Sequence, residues 1–201
     1  MKVIGITGGI GSGKSTIINI LKDTYNAFVI STDHIARILM EKGNISYNLV
    51  VENFGSGILD QGGNIDRKEL ASIVYNNPDK LLLLNSLSHP YVMKQVMDII
   101  EEKRNEKVAL ICVETALPKE AGLINFCDEI WYIHASEDIR RERLQKSRNY
   151  TNEKIDSIFY NQIKENEYRE ISTHIIDNNL SREKVAEQIA QILKNIPDRQ
   201  N

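Results

Sequence analysis

The sequence predicts an α/β protein with a doubly wound parallel sheet, and three observations favour this fold class. Strand-like and helix-like runs alternate along most of the chain. Residues 108–113 form an unbroken apolar run, as expected for a central strand that is buried on both faces. A glycine-rich segment at residues 8–13 joins a strand-like run to a helix-like run, as in a strand–turn–helix unit.

Five strands are expected, at residues 3–6, 27–30, 108–113, 129–133 and 174–176. Helix starts are predicted at the capping-box pattern of Asp66 to Glu69, at Pro90, and after Ser181 as N-cap. Residues 43–104 show turns and helices but no convincing strand, so they are interpreted as a helical insertion. The 201 residues are therefore expected to form one domain, with a polar end at 197–201 that frays.

Composition argues against several classes of protein. The net charge of −3 argues against a dedicated nucleic-acid binder, and no apolar run approaches the ~20 residues that span a bilayer. The first residues enter the glycine-rich segment at once, which leaves no room for a signal peptide. Cys112 and Cys127 are too few for a zinc site or a disulfide framework. We expect a cytoplasmic protein that binds no nucleic acid or membrane and needs no obligate protein partner.

Residues 8–15 match the phosphate-binding pattern G-x-x-x-x-G-K-[ST] at every fixed position. Glycines let consecutive backbone N–H groups face phosphate oxygens, and the following helix contributes the positive end of its dipole. Lys14 is expected to reach the β- and γ-phosphates, and the Ser15 hydroxyl to bind Mg²⁺. The predicted ATP-binding residues of this segment are Gly8, Gly9, Ile10, Gly11, Ser12, Gly13, Lys14, Ser15 and Thr16.

Asp33 is the first candidate for a catalytic carboxylate, because it stands just past the second predicted strand. Ligands of open parallel sheets gather at the carboxyl ends of strands. There Asp33 is suited to accept the proton of an attacking hydroxyl and to help hold Mg²⁺. The alternative is an N-cap for the next helix, with an ion pair to Arg37 one turn on.

Further candidates lie at Glu114, in an arginine cluster and at His89. Glu114 follows the central strand, where an acidic residue commonly assists Mg²⁺; alternatively it is a solvated strand end. Arginines 140, 141, 143 and 148 crowd one helical segment, which suggests a phosphate-clamping lid at about residues 138–152. Some of these arginines are expected to lie on a solvated helix face, and Arg143 and Arg148 are the ones predicted to contact phosphate. His89 is expected to cap a helix or to contact substrate.

Taken together, these motifs resemble the dephospho-CoA kinase family over nearly the whole chain. The resemblance rests on residues 6–16, Asp33 to Arg37, Phe54-Gly55, Ile65 to Leu70, His89 to Val92, Arg143-Leu144 with Arg148, Gln162, and Ile176 to Asn179.

The resemblance implies ATP and Mg²⁺ as donor system and transfer of the γ-phosphoryl group to the ribose 3′-hydroxyl of dephospho-CoA. It implies a P-loop core, a helical acceptor-binding subdomain and a lid. Asp33 takes the role of the catalytic carboxylate, and Asn178 belongs to the adenine-side segment. Arg67 and His89 become acceptor-site residues, together with Glu114.

The sequence departs from the family's pattern in three places. Ser31 replaces an aspartate that the family often has, Glu114 stands where the family has an aspartate, and Ser147 takes the place of Arg148 unless one gap is allowed.

Two other functions stay open at this point. A GTPase-like switch is suggested by D-x-x-G at residues 60–63, but no N-K-x-D element accompanies it. A kinase acting on a nucleoside, a sugar or a shikimate-like acceptor has the same chemistry, because acceptor pockets are set by shape.

Overall fold

The computed structural model describes residues 1–75 and 77–194, so the predicted frayed end at 197–201 lies outside the described residues. The strands are β1 (Lys2–Thr7), β2 (Phe28–Ser31), β3 (Leu110–Glu114), β4 (Glu129–His134) and β5 (His174–Asp177). The helices are α1 (Lys14–Tyr25), α2 (Thr32–Leu39), α3 (Ile45–Phe54), α4 (Arg67–Tyr75), α5 (Pro78–Asn105), α6 (Glu137–Arg148), α7 (Asn152–Asn161), α8 (Glu165–Ile171) and α9 (Arg182–Ile192). All five predicted strands are present, with ends shifted by one or two residues.

The five strands form one sheet in the order β2-β3-β1-β4-β5. The central strand β1 pairs in parallel with β3 and β4, and β4 pairs in parallel with β5. Parallel neighbours require crossover connections, which the intervening helices supply. The predicted doubly wound α/β class is therefore confirmed.

Both faces of the sheet are buried, which explains the continuous apolar runs in the strands. On one face Ile4, Ile6 and Trp131 pack with residues of α1 and α9 in a single core. Alternate strand residues such as Val3 and Ile111 are equally buried, at 3% and 0% exposure. The glycine-rich segment at residues 8–13 therefore begins at the end of a strand that is buried on both faces.

The chain divides into two compact units. The sheet unit comprises Met1–Ile30 and the described residues from Arg104 onward, and the helical unit is Ser31–Lys103. The helical unit has a core of its own around Val50, Ile58 and Leu70. Its short bridge between Leu59 and Ile65 is antiparallel and isolated.

The helix predicted to begin at Pro90 begins instead at Pro78, so that prediction is wrong. Asn77 caps it, since its Oδ1 accepts a hydrogen bond from Lys80 N at 3.0 Å, and Pro78 occupies the first helical position. Leu84, upstream of Pro90, packs against the core of the helical unit and favours a helix through the proline. His89 accordingly lies inside α5 and caps nothing.

Two other predicted helix starts are confirmed. The Asp66 Oδ1 accepts hydrogen bonds from the backbone N–H groups of Lys68 and Glu69, at 2.9 and 3.2 Å. Ser181 is the N-cap of α9 and accepts from Lys184 N. Along residues 1–75 and 77–194, no helix combines the length and the apolar character that a membrane crossing requires.

Candidate active site

The glycine-rich segment leads from β1 into α1 as a phosphate-binding loop (P-loop). Gly13 is the N-cap of α1 with φ at 87°, a backbone conformation that costs glycine little and side-chain-bearing residues more. A Cβ atom on Gly13 would also overlap the side-chain amide of Asn178. The first turn of a 12-residue helix therefore opens with backbone N–H groups available to an anion.

Lys14 lies at the first position of α1. Its Nζ donates a hydrogen bond to the carbonyl oxygen of Gly8, at 2.8 Å, which brings the ammonium group back across the loop. A cation held at this position can follow negative charge on a bound polyphosphate.

Asn178 and Arg143 support the loop through its carbonyl groups. The Asn178 Nδ2 donates to Ser12 O at 2.6 Å, and the Asn178 side chain is buried. The Arg143 guanidinium donates to Ser12 O at 3.1 Å and to Asn178 O at 2.8 Å. The structure thus brings both predicted residues to the P-loop, with Asn178 directed at loop backbone.

Arg140, which was not among the predicted phosphate-contacting arginines, also contacts the P-loop. Its Nε donates to Ile10 O at 2.9 Å and its Nη2 to Gln162 Oε1 at 2.5 Å. The spacing gave a signal for this placement, because residues 140 and 143 are three apart and share one helix face. Burial is the main influence on the guanidinium and lowers the pKa of Arg140, although arginine remains protonated near neutral pH.

A cleft of about 540 Å³ opens beside the loop. Its wall includes Lys14, Ser15 and Glu114, together with Arg148 and Ser147 at the end of α6. Ser147 and Arg148, the two residues that match the family's lid arginine without and with a gap, therefore both line the same cleft. The Glu114 side chain forms no hydrogen bond or ion pair within the described ranges 1–75 and 77–194, which leaves its oxygens open to water or a ligand.

Arg141 is held away from this cleft. It bonds the carboxylates of Glu137 at 3.0 Å and Asp156 at 2.6 Å, and these bonds raise the pKa of Arg141. The prediction that the arginines of α6 are not equivalent is consistent with this geometry.

The remaining candidates belong to the helical unit. Asp33 is the second residue of α2, whose N-cap is Ser31, so the N-cap alternative for Asp33 is wrong. Within the described part of the chain, Asp33 forms neither the expected ion pair with Arg37 nor any other side-chain bond. Its carboxylate is exposed in the first turn of the helix, where the dipole favours negative charge.

Arg67 and His89 occupy different places in the helical unit. Arg67 is the first residue of α4 and lines a cavity of about 450 Å³, whose wall is otherwise mainly apolar and includes Ile65, Leu70 and Leu84. His89 is partly buried in α5 and does not line that cavity.

The D-x-x-G sequence at residues 60–63 forms a turn. The Asp60 Oδ1 accepts hydrogen bonds from Gly62 N at 2.8 Å and Asn64 N at 2.9 Å, and the bond from Asn64 is the chief reason that the pKa of Asp60 is lowered. This carboxylate stabilises its own turn, which removes the structural basis for a GTPase-like switch.

A family model described as dephospho-CoA kinase matches residues 2–184. This chain belongs to the dephospho-CoA kinase family. The dephospho-CoA kinase of Carboxydothermus hydrogenoformans is 36% identical over 194 residues, covering 96% of this chain and 94% of its own length. A dephospho-CoA kinase from Staphylococcus aureus is 34% identical over 196 residues, covering 96% and 92%.

Solved structures show the same fold. A Thermus thermophilus protein superposes with a TM-score of 0.82 at 27% identity, covering 97% of each chain. Dephospho-CoA kinase from Campylobacter jejuni gives a TM-score of 0.71 at 24% identity, covering 98% of each. A shikimate kinase from Acinetobacter baumannii, with a TM-score of 0.55 at 15% identity, shares the fold alone.

Membership of the dephospho-CoA kinase family confirms three predictions made from the sequence: the family, the P-loop kinase fold and an ATP-dependent kinase activity. The roles of individual residues remain predictions.

Proposed function

We propose that this member of the family transfers the γ-phosphoryl group of ATP to the ribose 3′-hydroxyl of dephospho-CoA, giving CoA and ADP in the last step of CoA biosynthesis. The observation that carries the proposal is the complete P-loop, with Lys14 folded across it, inside a chain that the family model matches over residues 2–184. Since the donor ATP is a cytoplasmic metabolite, we place the enzyme in the cytoplasm.

In the proposed reaction the ribose oxygen bonds to the γ-phosphorus as the bond from that phosphorus to the β–γ bridging oxygen breaks. The hydroxyl proton passes to the Asp33 carboxylate, and ADP leaves with the bridging oxygen. The backbone N–H groups of the P-loop and Lys14 stabilise the charge that develops on the bridging oxygen. Because ATP supplies the reactive bond, the protein mainly contributes positioning and charge.

The phosphates are also bound from α6. Arg148 is exposed on the cleft wall and forms no ion pair with a carboxylate within residues 1–75 and 77–194, so its guanidinium is available to the γ-phosphate. Arg143, with its donors on loop carbonyls, adds positive charge beside the same phosphates. We propose residues 138–152 as the lid that carries both arginines.

The residues beside the P-loop fit a magnesium ion. Mg²⁺ prefers oxygen ligands, keeps several waters, and usually takes one or two protein ligands together with substrate phosphates. The Ser15 hydroxyl lines the cleft, and the described residues include no cluster of three or more His, Cys, Asp or Glu that would hold a metal alone. We propose Ser15 and Asp33 as its protein ligands, and Glu114, which lines the same cleft as Ser15, as an assisting residue. When bound, Mg²⁺ neutralises phosphate charge.

The helical unit is proposed to bind the acceptor. Its cavity combines an apolar wall with the Arg67 guanidinium at the start of α4. Dephospho-CoA has a matching combination, a long pantetheine arm next to anionic phosphates. Arg67 would pair with phosphate, and His89 would contribute a weaker acceptor contact from α5.

The proposal is tested by supplying ATP and Mg²⁺ with dephospho-CoA, adenosine, shikimate and a hexose in parallel, and by measuring ADP release. Dephospho-CoA should be the preferred acceptor, and phosphorus NMR of the product should show a new ribose 3′-phosphate. Faster phosphorylation of any other acceptor at equal concentration would overturn the assignment.

A further inference from the structure

Arg140 is fixed by three contacts to neutral groups. Its Nε bonds Ile10 O, its Nη2 bonds Gln162 Oε1, and its guanidinium carbon lies 4.3 Å from the centre of the Phe159 ring. A cation over an aromatic face is stabilised by the ring quadrupole. The three contacts leave the planar group little freedom to rotate.

Arg140 differs in this respect from Arg141, the next residue along α6. Arg141 bonds two carboxylates, whereas Arg140 forms no ion pair within the described ranges 1–75 and 77–194. The Arg140 guanidinium is half-buried beside an anion-binding loop and keeps its charge, which costs desolvation free energy. Its hydrogen bond to the loop helps to offset that cost.

The bond to Ile10 determines where an N–H group points. The peptide between Ile10 and Gly11 is trans, so its C=O and N–H groups point in opposite directions. With the Ile10 carbonyl held toward Arg140, the Gly11 N–H is directed away from it. Ile10 and Gly11 line the cleft, whereas Arg140 is not among the described residues of its wall. The arginine therefore contacts the loop on the side away from the cleft.

The space beside the Cα atom of Gly9 is occupied by this guanidinium. Gly9 is one of the variable positions of the P-loop pattern, and its φ is not positive, so its backbone does not require glycine. A Cβ atom on Gly9 would lie 2.6 Å from Arg140 Nη2 and 3.0 Å from Gln162 Oε1. A side chain at residue 9 would therefore require the Arg140–Gln162 pair to shift.

We propose that Arg140, aimed by Gln162, is a positioning residue that sets the P-loop peptide at Ile10 for nucleotide binding. The inference rests on the proposed binding of ATP in the P-loop. It adds a residue that acts through the loop and contacts neither the ribose oxygen nor the γ-phosphorus. Gln162 lies at the end of α7, so the pair also ties the α7 end to the P-loop.

The test measures ADP and ATP affinity by calorimetry for the wild type and for Arg140→Ala, with Arg141→Ala as the matched control. Losing a charged hydrogen bond that orients the cradle should weaken both nucleotides about tenfold, with a smaller change in kcat. The control should stay within about twofold, because exposed ion pairs contribute little. A folded Arg140→Ala protein with wild-type affinity, or equal losses in both variants, would overturn the inference.

A double-mutant cycle with Gly9→Ala separates positioning from general stability. In the wild-type background Gly9→Ala should displace the guanidinium and weaken ADP binding; in the Arg140→Ala background it should add little, because the space is free. Additive losses would contradict the proposal. If Arg140→Ala does not fold, ADP affinity is measured for Gly9→Ala and for Arg140→Lys instead. Wild-type ADP affinity in both of these variants would refute the inference. A wild-type protein that binds no ADP would refute the nucleotide assignment as well.

Discussion

The side chains proposed to bind ATP and those proposed to bind the acceptor differ in what they contact within the folded chain. Around the P-loop, Lys14, Arg143 and Asn178 each donate to a backbone carbonyl. In the helical unit, Asp33 and Arg67 form no side-chain hydrogen bond or ion pair with residues 1–75 or 77–194. The residues proposed to bind ATP are thus held in place by the protein backbone, whereas those proposed to bind the acceptor have no side-chain partner among the described residues. Substitutions should therefore have different consequences in the two regions.

The largest effect is expected from Asp33→Asn. Loss of a positioned general base typically costs about 10²–10⁴-fold in rate. Stability should change little, because the carboxylate is exposed and makes no cap bond, which leaves only a dipole interaction of about 0.3–1 kcal/mol. Steady-state kinetics and thermal unfolding measure the two quantities. A near-normal kcat would exclude Asp33 from the mechanism and direct attention to Glu114.

Lys14→Ala should lower kcat by about 10²-fold, with a smaller change in ATP affinity, because the ammonium group acts most strongly on the charge of the transition state. Single-turnover measurements with saturating ATP isolate this step. If turnover is preserved, the loop does not hold the transferred phosphate, and the P-loop residues are not the ATP site that we propose.

Arg148→Ala should reduce kcat/KM for ATP by about tenfold or more, the effect of losing one charge-assisted phosphate contact. Arg141→Ala is the control, since its ion pairs with Glu137 and Asp156 lie at the surface. Ser147→Ala distinguishes the two residues of the cleft wall. Similar losses in Arg148→Ala and Arg141→Ala would indicate a diffuse electrostatic effect in place of a clamp, and a loss confined to Ser147→Ala would assign the lid position to Ser147.

Arg67→Ala should raise the KM for dephospho-CoA about tenfold and leave the KM for ATP unchanged. Lys68→Ala, which removes the neighbouring exposed cation, should change neither constant. An equal rise in both KM values would show that Arg67 acts on the fold or on the nucleotide, and would contradict its place on the acceptor side.

Asn178→Ala tests the supported region by stability. Its amide bonds the Ser12 carbonyl from a buried position, and loss of this bond should cost about 0.5–1.5 kcal/mol in the free energy of unfolding, because Arg143 still donates to Ser12 O. Asn161→Ala, which removes an exposed bond to Ser157 O, is the control. Urea unfolding followed by circular dichroism measures both. Equal free energies of unfolding would mean that Asn178 does not brace the P-loop.

The sequence was sufficient to predict the sheet strands and the P-loop, because both depend on local patterns. Apolar runs mark buried parallel strands, and the fixed glycines, lysine and serine of residues 8–15 specify a loop whose backbone is its binding surface. The helix caps at Asp66 and Ser181 could also be predicted from the sequence, since each side chain bonds a backbone N–H group within three residues.

Features that depend on distant residues were missed. Helix α5 passes through Pro90 because upstream leucines pack in the core of the helical unit, and single-sequence rules place a boundary at such a proline. Arg140 was not chosen among the arginines of α6, because its partners, Ile10 and Gln162, are 130 and 22 residues away in sequence. The three-residue spacing of Arg140 and Arg143 indicates a shared helix face, but no pattern within a short window identifies the partners of Arg140 or the packing of the leucines.

The buried Trp131 of strand β4 provides an optical means of following the two regions separately. It is the single tryptophan of the chain and lies at 0% exposure in the core of the sheet unit. Its fluorescence emission reports that core alone, while far-ultraviolet circular dichroism records helices of both units. Coincident melting curves from the two probes would mean one cooperative transition, and a helical signal lost before the tryptophan shifts to the red would mean that the helical unit opens first.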